Sequence, residues 1–149
     1  MYKHILLPTD GSRLSAKGAA EGVRLAKALG ARVTGVYVAP LYYRPPVYLE
    51  GGVYIPGVSP KAYRKHSEAQ AKKALAPIEA AARKARVRCA TRMLMARRPS
   101  DGILKAARAL RCDAIAMASR CSRGLNAVLL GSETRRVLLQ SRIPVVVIR

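Results

Sequence analysis

A chain of 149 residues fits one domain, 1–149, and can bury roughly 70% of the surface its unfolded form exposes, so neither a second domain nor a disulfide staple is required. Half of the residues are hydrophobic, yet no apolar stretch nears the roughly 20 residues of a membrane-spanning helix, and Pro8 stops the first apolar run before it reads as a signal peptide; a soluble, cytoplasmic protein without membrane contact is expected. Lys and Arg number 28 against 8 Asp and Glu, a formal charge of +20 that attracts anionic partners such as nucleic acid, anionic lipid or phosphorylated metabolites and says nothing of fold.

Along the chain, strand-like and helix-like hydrophobic periods alternate. Residues 4–7 form a short apolar run closed by Pro8, and Asp10-Gly11-Ser12 then supplies a turn with helix-capping side chains. From 12 to 29, Ala16, Ala19, Ala20, Val23, Ala26 and Leu29 recur on one helical face, and Gly30 ends the helix. A second strand is expected over 32–38. The stretch 39–60 holds five prolines, three glycines and Tyr42, Tyr43, Tyr48 and Tyr54; it reads as a long loop that either packs on its own domain or a partner subunit, or closes over a ligand. A second helix follows over 61–84, with Ala71, Leu75, Ile78 and Ala82 inward and Pro77 bending it. Then come a strand over 87–95, a helix over 99–110 with Ile103, Ala107 and Leu110 inward, and a strand over 112–117. The chain ends with a glycine-containing loop over 118–130, a helix over 131–140 and a β-branched strand over 143–148.

Such alternation implies parallel pairing, hence an α/β fold: a doubly wound, Rossmann-like parallel sheet of five strands with helices on both faces. Ligands of such sheets bind beyond the carboxyl ends of the strands, where strand order reverses. Residues 8–12 and 117–132 should therefore face one crevice, with Asp10 and Ser132 across it. Chemistry there is sparse. Cys89, Cys112 and Cys121 form no C-x-x-C pair, and His4 and His66 have no cluster of ligating neighbours, so no disulfide framework and no metal are expected. Asp10 and Glu133 are the carboxylates near the loops; without a base, nucleophile and metal set, the chain is not expected to be an enzyme. Cys121 between Arg120 and Arg123 reads either as a thiol of lowered pKa or as an inert small residue.

Three segments resemble the universal stress protein family: Ile5-Leu6-Leu7-Pro8-Thr9-Asp10-Gly11-Ser12, Arg123-Gly124-Leu125-Asn126-Ala127-Val128-Leu129-Leu130-Gly131-Ser132, and Ile143-Pro144-Val145-Val146-Val147-Ile148-Arg149. The resemblance covers nearly the whole chain. It implies a five-stranded sheet in the order 3-2-1-4-5, commonly a homodimer, and in some members bound ATP, AMP or a related adenine nucleotide. Nucleotide-binding members look like G-x2-G-x9-G-[ST], which lays Ala118 and Cys121 on the first two glycines and Gly131 and Ser132 on the end; a methyl at Ala118 is expected where ribose or phosphate would approach. Arg97 also stands where a glycine is usual. By resemblance the chain is closer to members with an altered or absent site, and retention stays open.

The same resemblance assigns the cofactor side to Pro8, Thr9, Asp10, Val38, Met117, Arg120, Gly131 and Ser132. Asp10 would meet the adenosine end, or alternatively cap the first helix with Ser12. Val38 would line the adenine pocket or serve as ordinary core. Gly131 and Ser132 would hold a phosphate at a helix N-terminus or be a plain cap. Arg120 and Arg123 would support an anion, whereas Glu133 would repel it. The final strand, 144–148, is expected to pair with its twin in a homodimer. The function implied is a non-enzymatic stress-response module with a degenerate adenine-nucleotide site; a basic adaptor for nucleic acid or acidic proteins, or a slow ATP hydrolase, are the alternatives.

Overall fold

The computed structural model describes residues 1–41, 46–55, 57–119 and 130–149. In chain order the elements are β1 (His4–Thr9), α1 (Arg13–Leu29), β2 (Arg32–Pro40), β3 (Val47–Leu49), β4 (Val53–Ile55), α2 (Pro60–Ala85), β5 (Cys89–Ala96), α3 (Pro99–Ala109), β6 (Ala114–Ala118), α4 (Ser132–Gln140) and β7 (Val145–Ile148). The main sheet runs β5-β2-β1-β6-β7 with every pair parallel. Counting only its own five strands, that is the order 3-2-1-4-5. Chain order reverses between β1 and β6, the switch point at which crevices open in such sheets.

β1 is apolar without alternation because both of its faces are covered. Ile5, Leu6 and Leu7 are all fully buried. On one face Ile5 and Leu7 join Val23 and Ala26 of α1 and Leu75 and Ile78 of α2. On the other, Leu6 and Val36 meet Ile103 and Ala106 of α3 and Val137 of α4.

The buried face of α1 differs from the expected alanine stripe. Ser15, Gly18, Ala19, Gly22, Val23 and Ala26 are buried, while Ala16 and Ala20 are half-buried. Close approach of backbone decides this: a Cβ at Gly18 would fall 2.6 Å from Ala118 Cβ, and one at Gly22 would fall 2.5 Å from Leu7 Cδ2. Glycine weakens a helix interior by about 1 kcal/mol relative to alanine, and here it lets α1 lie on β6 and β1.

The stretch 39–60 is not the structureless loop expected. β2 extends to Pro40, and β3 pairs antiparallel with β4 across Glu50-Gly51-Gly52. Gly51 and Gly52 have φ of 96° and 78°, which favours glycine. Three-residue strands are too short to display a period, which is why the hairpin escaped the sequence pattern. Tyr48 and Tyr54 face each other at 5.1 Å between ring centroids and are exposed. Tyr42 and Tyr43 lie outside the described residues.

Smaller shifts of element ends have local causes. Cys112 precedes β6 because its N–H closes the end of α3 on Ala107 O at 2.9 Å. β7 starts at Val145 because Ser141 Oγ turns the chain, accepting Ile143 N–H at 3.2 Å. Among the described residues no helix is long and apolar enough to cross a membrane.

Candidate functional site

At the end of β1 the backbone leaves the sheet in a turn held by short polar side chains. Asp10 Oδ1 accepts Ser12 N–H at 2.9 Å, Thr9 Oγ1 accepts Gly11 N–H at 3.1 Å, and Gly11 has a φ of 79°. Ser12 then caps α1, its Oγ accepting Ser15 N–H at 3.1 Å. Asp10 thus orders the turn one step before the cap, and Ser12 is the cap itself.

β6 runs parallel beside β1, with Ile5 opposite Ala114 and Leu6 opposite Ile115. The two strand ends therefore open on one cavity of about 500 Å³, within the range of small-molecule sites. Pro8, Thr9, Asp10, Val38, Met117, Gly131 and Ser132 all border it. Arg120, Cys121 and Arg123 lie outside the described residues, and Arg97 is not among the lining residues. The sequence reading missed Ser15, Tyr37, Pro40, Ile103 and Thr134, which are also part of the wall. Val36, Val38 and Pro40 stand two apart along β2, so a strand extended by two residues would have brought in Pro40.

Three details define the chemistry. Ala118 Cβ faces the Gly18 position of α1, so its methyl fills the contact between helix and strand, although Ala118 also borders the cavity. Val38 is seated under α3, where a Cβ at Gly102 would fall 2.5 Å from its Cγ1; it is wall and core together. Glu133 is already occupied. Its Oε2 accepts Ser100 N–H at 2.7 Å and its Oε1 accepts from Arg136 Nη1 at 2.6 Å. Burial pushes this carboxyl up, but the Ser100 amide and Arg136 outweigh burial and hold it below the usual carboxylate range.

Glu133 therefore caps α3, whose own N-cap, Arg98, makes no side-chain cap bond. α4 is different: Gly131 at its N-cap has no side chain to offer, and no side-chain capping bond is made. Its first turn opens on the cavity beside exposed Ser132, and the unsatisfied amides of a helix start carry partial positive charge. Among the described residues no group of three or more His, Cys, Asp and Glu side chains is placed to hold a metal ion.

A parallel sheet in the order 3-2-1-4-5, with a small-molecule cavity at its switch point and an open helix N-terminus beside it, defines a doubly wound α/β protein of the Rossmann-like class. Residues 1–149 match the profile of the Universal stress protein family, and the chain belongs to that family. It is a stress-response module of the universal stress protein type. It is 29% identical to a universal stress protein of Methanocaldococcus jannaschii, covering 100% of this chain and 83% of that one. It is 30% identical to a universal stress protein of Thermus aquaticus over 100% of both chains. Solved structures of universal stress proteins share the fold. A universal stress protein in complex with cAMP has a TM-score of 0.67 at 19% identity, over 99% of this chain and 97% of that one. The universal stress protein from Archaeoglobus fulgidus in complex with dAMP has a TM-score of 0.63 at 19% identity, over 99% and 98%.

Proposed function

We propose that the chain works as one domain, as a non-enzymatic stress-response module whose cavity takes an adenine nucleotide, ATP or AMP. The observation that carries this reading is the uncapped start of α4 at a cavity of about 500 Å³. Similar folds with cAMP and dAMP bound support the adenine class. The substitution at Ala118 does not exclude it, because its methyl is absorbed by α1.

In this reading Asp10 accepts hydrogen bonds from the nucleoside, Val38 and Met117 flank the base, and Ser132 with the first amides of α4 receives a phosphate. Pro8 and Thr9 shape the turn that carries Asp10. By the family resemblance Arg120, outside the described residues, would add a cation for the phosphate. Bound nucleotide supplies no reaction; it fills the cavity as a regulatory ligand. The carboxylates support the absence of turnover. Of the two that line the cavity, Glu133 is held by Ser100 and Arg136, and no histidine lines it. The same reading places the protein in the cytoplasm, as a homodimer through the edge strand β7, beside which α4 exposes Leu138 and Leu139.

A thermal-shift and native mass-spectrometry screen with ATP, ADP and AMP tests the reading. A saturating nucleotide at about 100 times its Kd adds about 2.7 kcal/mol of stability, and Ser132→Ala weakens that gain. No shift and no bound mass with any of the three would leave only the ligand-free module. Released phosphate from ATP would overturn the non-enzymatic assignment. Val146→Lys converts the dimer to monomer in light scattering if β7 is the interface.

A further inference from the structure

The cavity occupies the pole of the sheet where strands end. At the other pole strands begin and helices end, and there exposed cations gather. Arg88 precedes β5, Arg32 opens β2, Lys3 precedes β1 and Arg142 precedes β7. Backbone bonds fix part of this row: Arg32 N–H donates to Lys3 O at 3.0 Å, and Val33 N–H donates to Arg88 O at 2.9 Å. With strands about 4.8 Å apart, the row from β5 to β7 is about 19 Å long. The helix ends add to the same surface. Lys27 lies in the last turn of α1, Arg83 and Lys84 in that of α2, with Arg86 just beyond; Arg108 and Arg111 stand at the end of α3. The carboxylate of Asp113 faces them, and its oxygens accept the amides of Lys3 and His4 at 2.8 and 3.1 Å; Glu79, near the start of β5, accepts from Thr91 Oγ1 at 2.9 Å.

Cations at helix C-termini are favoured by the helix dipole alone, so their presence does not decide anything. Two backbone angles do. Arg86 and Arg111 have φ of 56° and 52°, a left-handed conformation that strains any residue with a Cβ. α1 meets the same geometric need with Gly30, at φ 66°. Glycine would serve the fold, so what the arginines add is exposed charge. Arg111 also joins Arg108 and Arg142 around a recess of about 140 Å³, an arrangement that repels itself until an anion enters.

We propose that this pole docks on the phosphate backbone of double-stranded nucleic acid, without reading its sequence. Seven of the ten cations are arginine, whose planar fork matches phosphate oxygens in pairs. A lipid surface would want an apolar anchor, yet the exposed Leu41, Tyr48, Leu49, Tyr54 and Val58 belong to the cavity end, and at the basic one the exposed apolar side chains are the scattered Met1, Leu138 and Leu139 among the described residues. Single strands would want an aromatic platform. The chain has no Trp or Phe, and Tyr2 at this pole is half-buried against the core. The proposal is independent of whether the cavity takes a nucleotide.

Fluorescence anisotropy with a short labelled duplex, between about 50 and 200 mM salt, tests it. Binding is expected to fall steeply with salt. Arg86→Gly with Arg111→Gly is expected to weaken binding about tenfold at low salt and to lower the salt slope by about 2. The same pair should keep or raise Tm, because glycine relieves the left-handed strain. Lys61→Ala with Lys65→Ala, at the cavity end, should change affinity by less than about twofold. The assignment is overturned if the lysine pair weakens binding as much as the arginine pair. No duplex binding at low salt, or a preference for single strands or phosphatidylglycerol vesicles, also overturns it.

Discussion

At the cavity end of the sheet the helix starts are met by short polar groups: Ser12 caps α1 and Glu133 caps α3, while α4 is left without a side-chain cap. At the far end the helix C-termini meet cations, Lys27, Arg83, Lys84 and Arg108. The parallel architecture makes both ends attractive to anions by different means. One offers directed amides inside a cavity, which select shape; the other offers exposed charge, which selects little beyond sign.

The largest effect should come from forcing the cavity end apart. Gly18→Ala is expected to lower stability by about 2–3 kcal/mol in urea unfolding, since the new methyl meets Ala118 Cβ. Adding Ala118→Gly should return at least half of the loss. A double mutant no more stable than Gly18→Ala would show that the Ala118 methyl is not what α1 rests on.

Next in size is the cap shared by α4 and α3. Glu133→Gln removes the charge from two hydrogen bonds and should cost about 1–2 kcal/mol at neutral pH. Because the folded carboxyl is held low, its contribution is present above the ordinary value of 4.5 and is lost as pH falls through the folded value. Wild type and variant should therefore converge in acid. Unfolding curves that stay parallel down to strong acid would contradict the assigned role.

A smaller effect probes the far end. His4 is buried, with Nε2 2.8 Å from Thr34 Oγ1 and Nδ1 3.2 Å from Arg32 Nη2. Burial, then the Arg32 charge, lower its pKa from 6.5, and nearby Asp113 opposes them only partly. The unfolded chain then binds the extra proton first, so stability falls as pH drops below about 6.5. His4→Gln should flatten the urea midpoint between neutral and mildly acid pH, and an unchanged slope would exclude His4 as its source. The smallest effect concerns Cys112, whose thiol is pushed up to about 11 by burial and by Asp113. Iodoacetamide at neutral pH should label it in urea and leave it unlabelled in the native protein; native labelling would mean that this end opens.

What the sequence made legible follows from which signals are local. The continuous apolar run of β1, the Asp10-Gly11-Ser12 turn and the β-branched last strand carry the alternation of elements and the crevice position, because period and turn chemistry are written in neighbouring residues, whereas strand order came from the family resemblance. Gly18, Gly102 and Glu133 were illegible in their roles. Each acts on a partner far along the chain: Ala118, Val38 and Ser100. A glycine spacer and a cap supplied from another helix leave no periodic trace. The hydrogen-bond partners of Glu133 were legible only in part. Arg136 lies one helical turn away and is visible in the sequence, whereas Ser100 comes from another helix.

The most direct test is a crystal structure grown with AMP or ATP at saturating concentration. The account predicts ligand density in the cavity between Asp10 and the start of α4, with a phosphate against Ser132 and the base beside Val38. A clear map with the nucleotide bound elsewhere, or with that cavity holding only solvent, would contradict it.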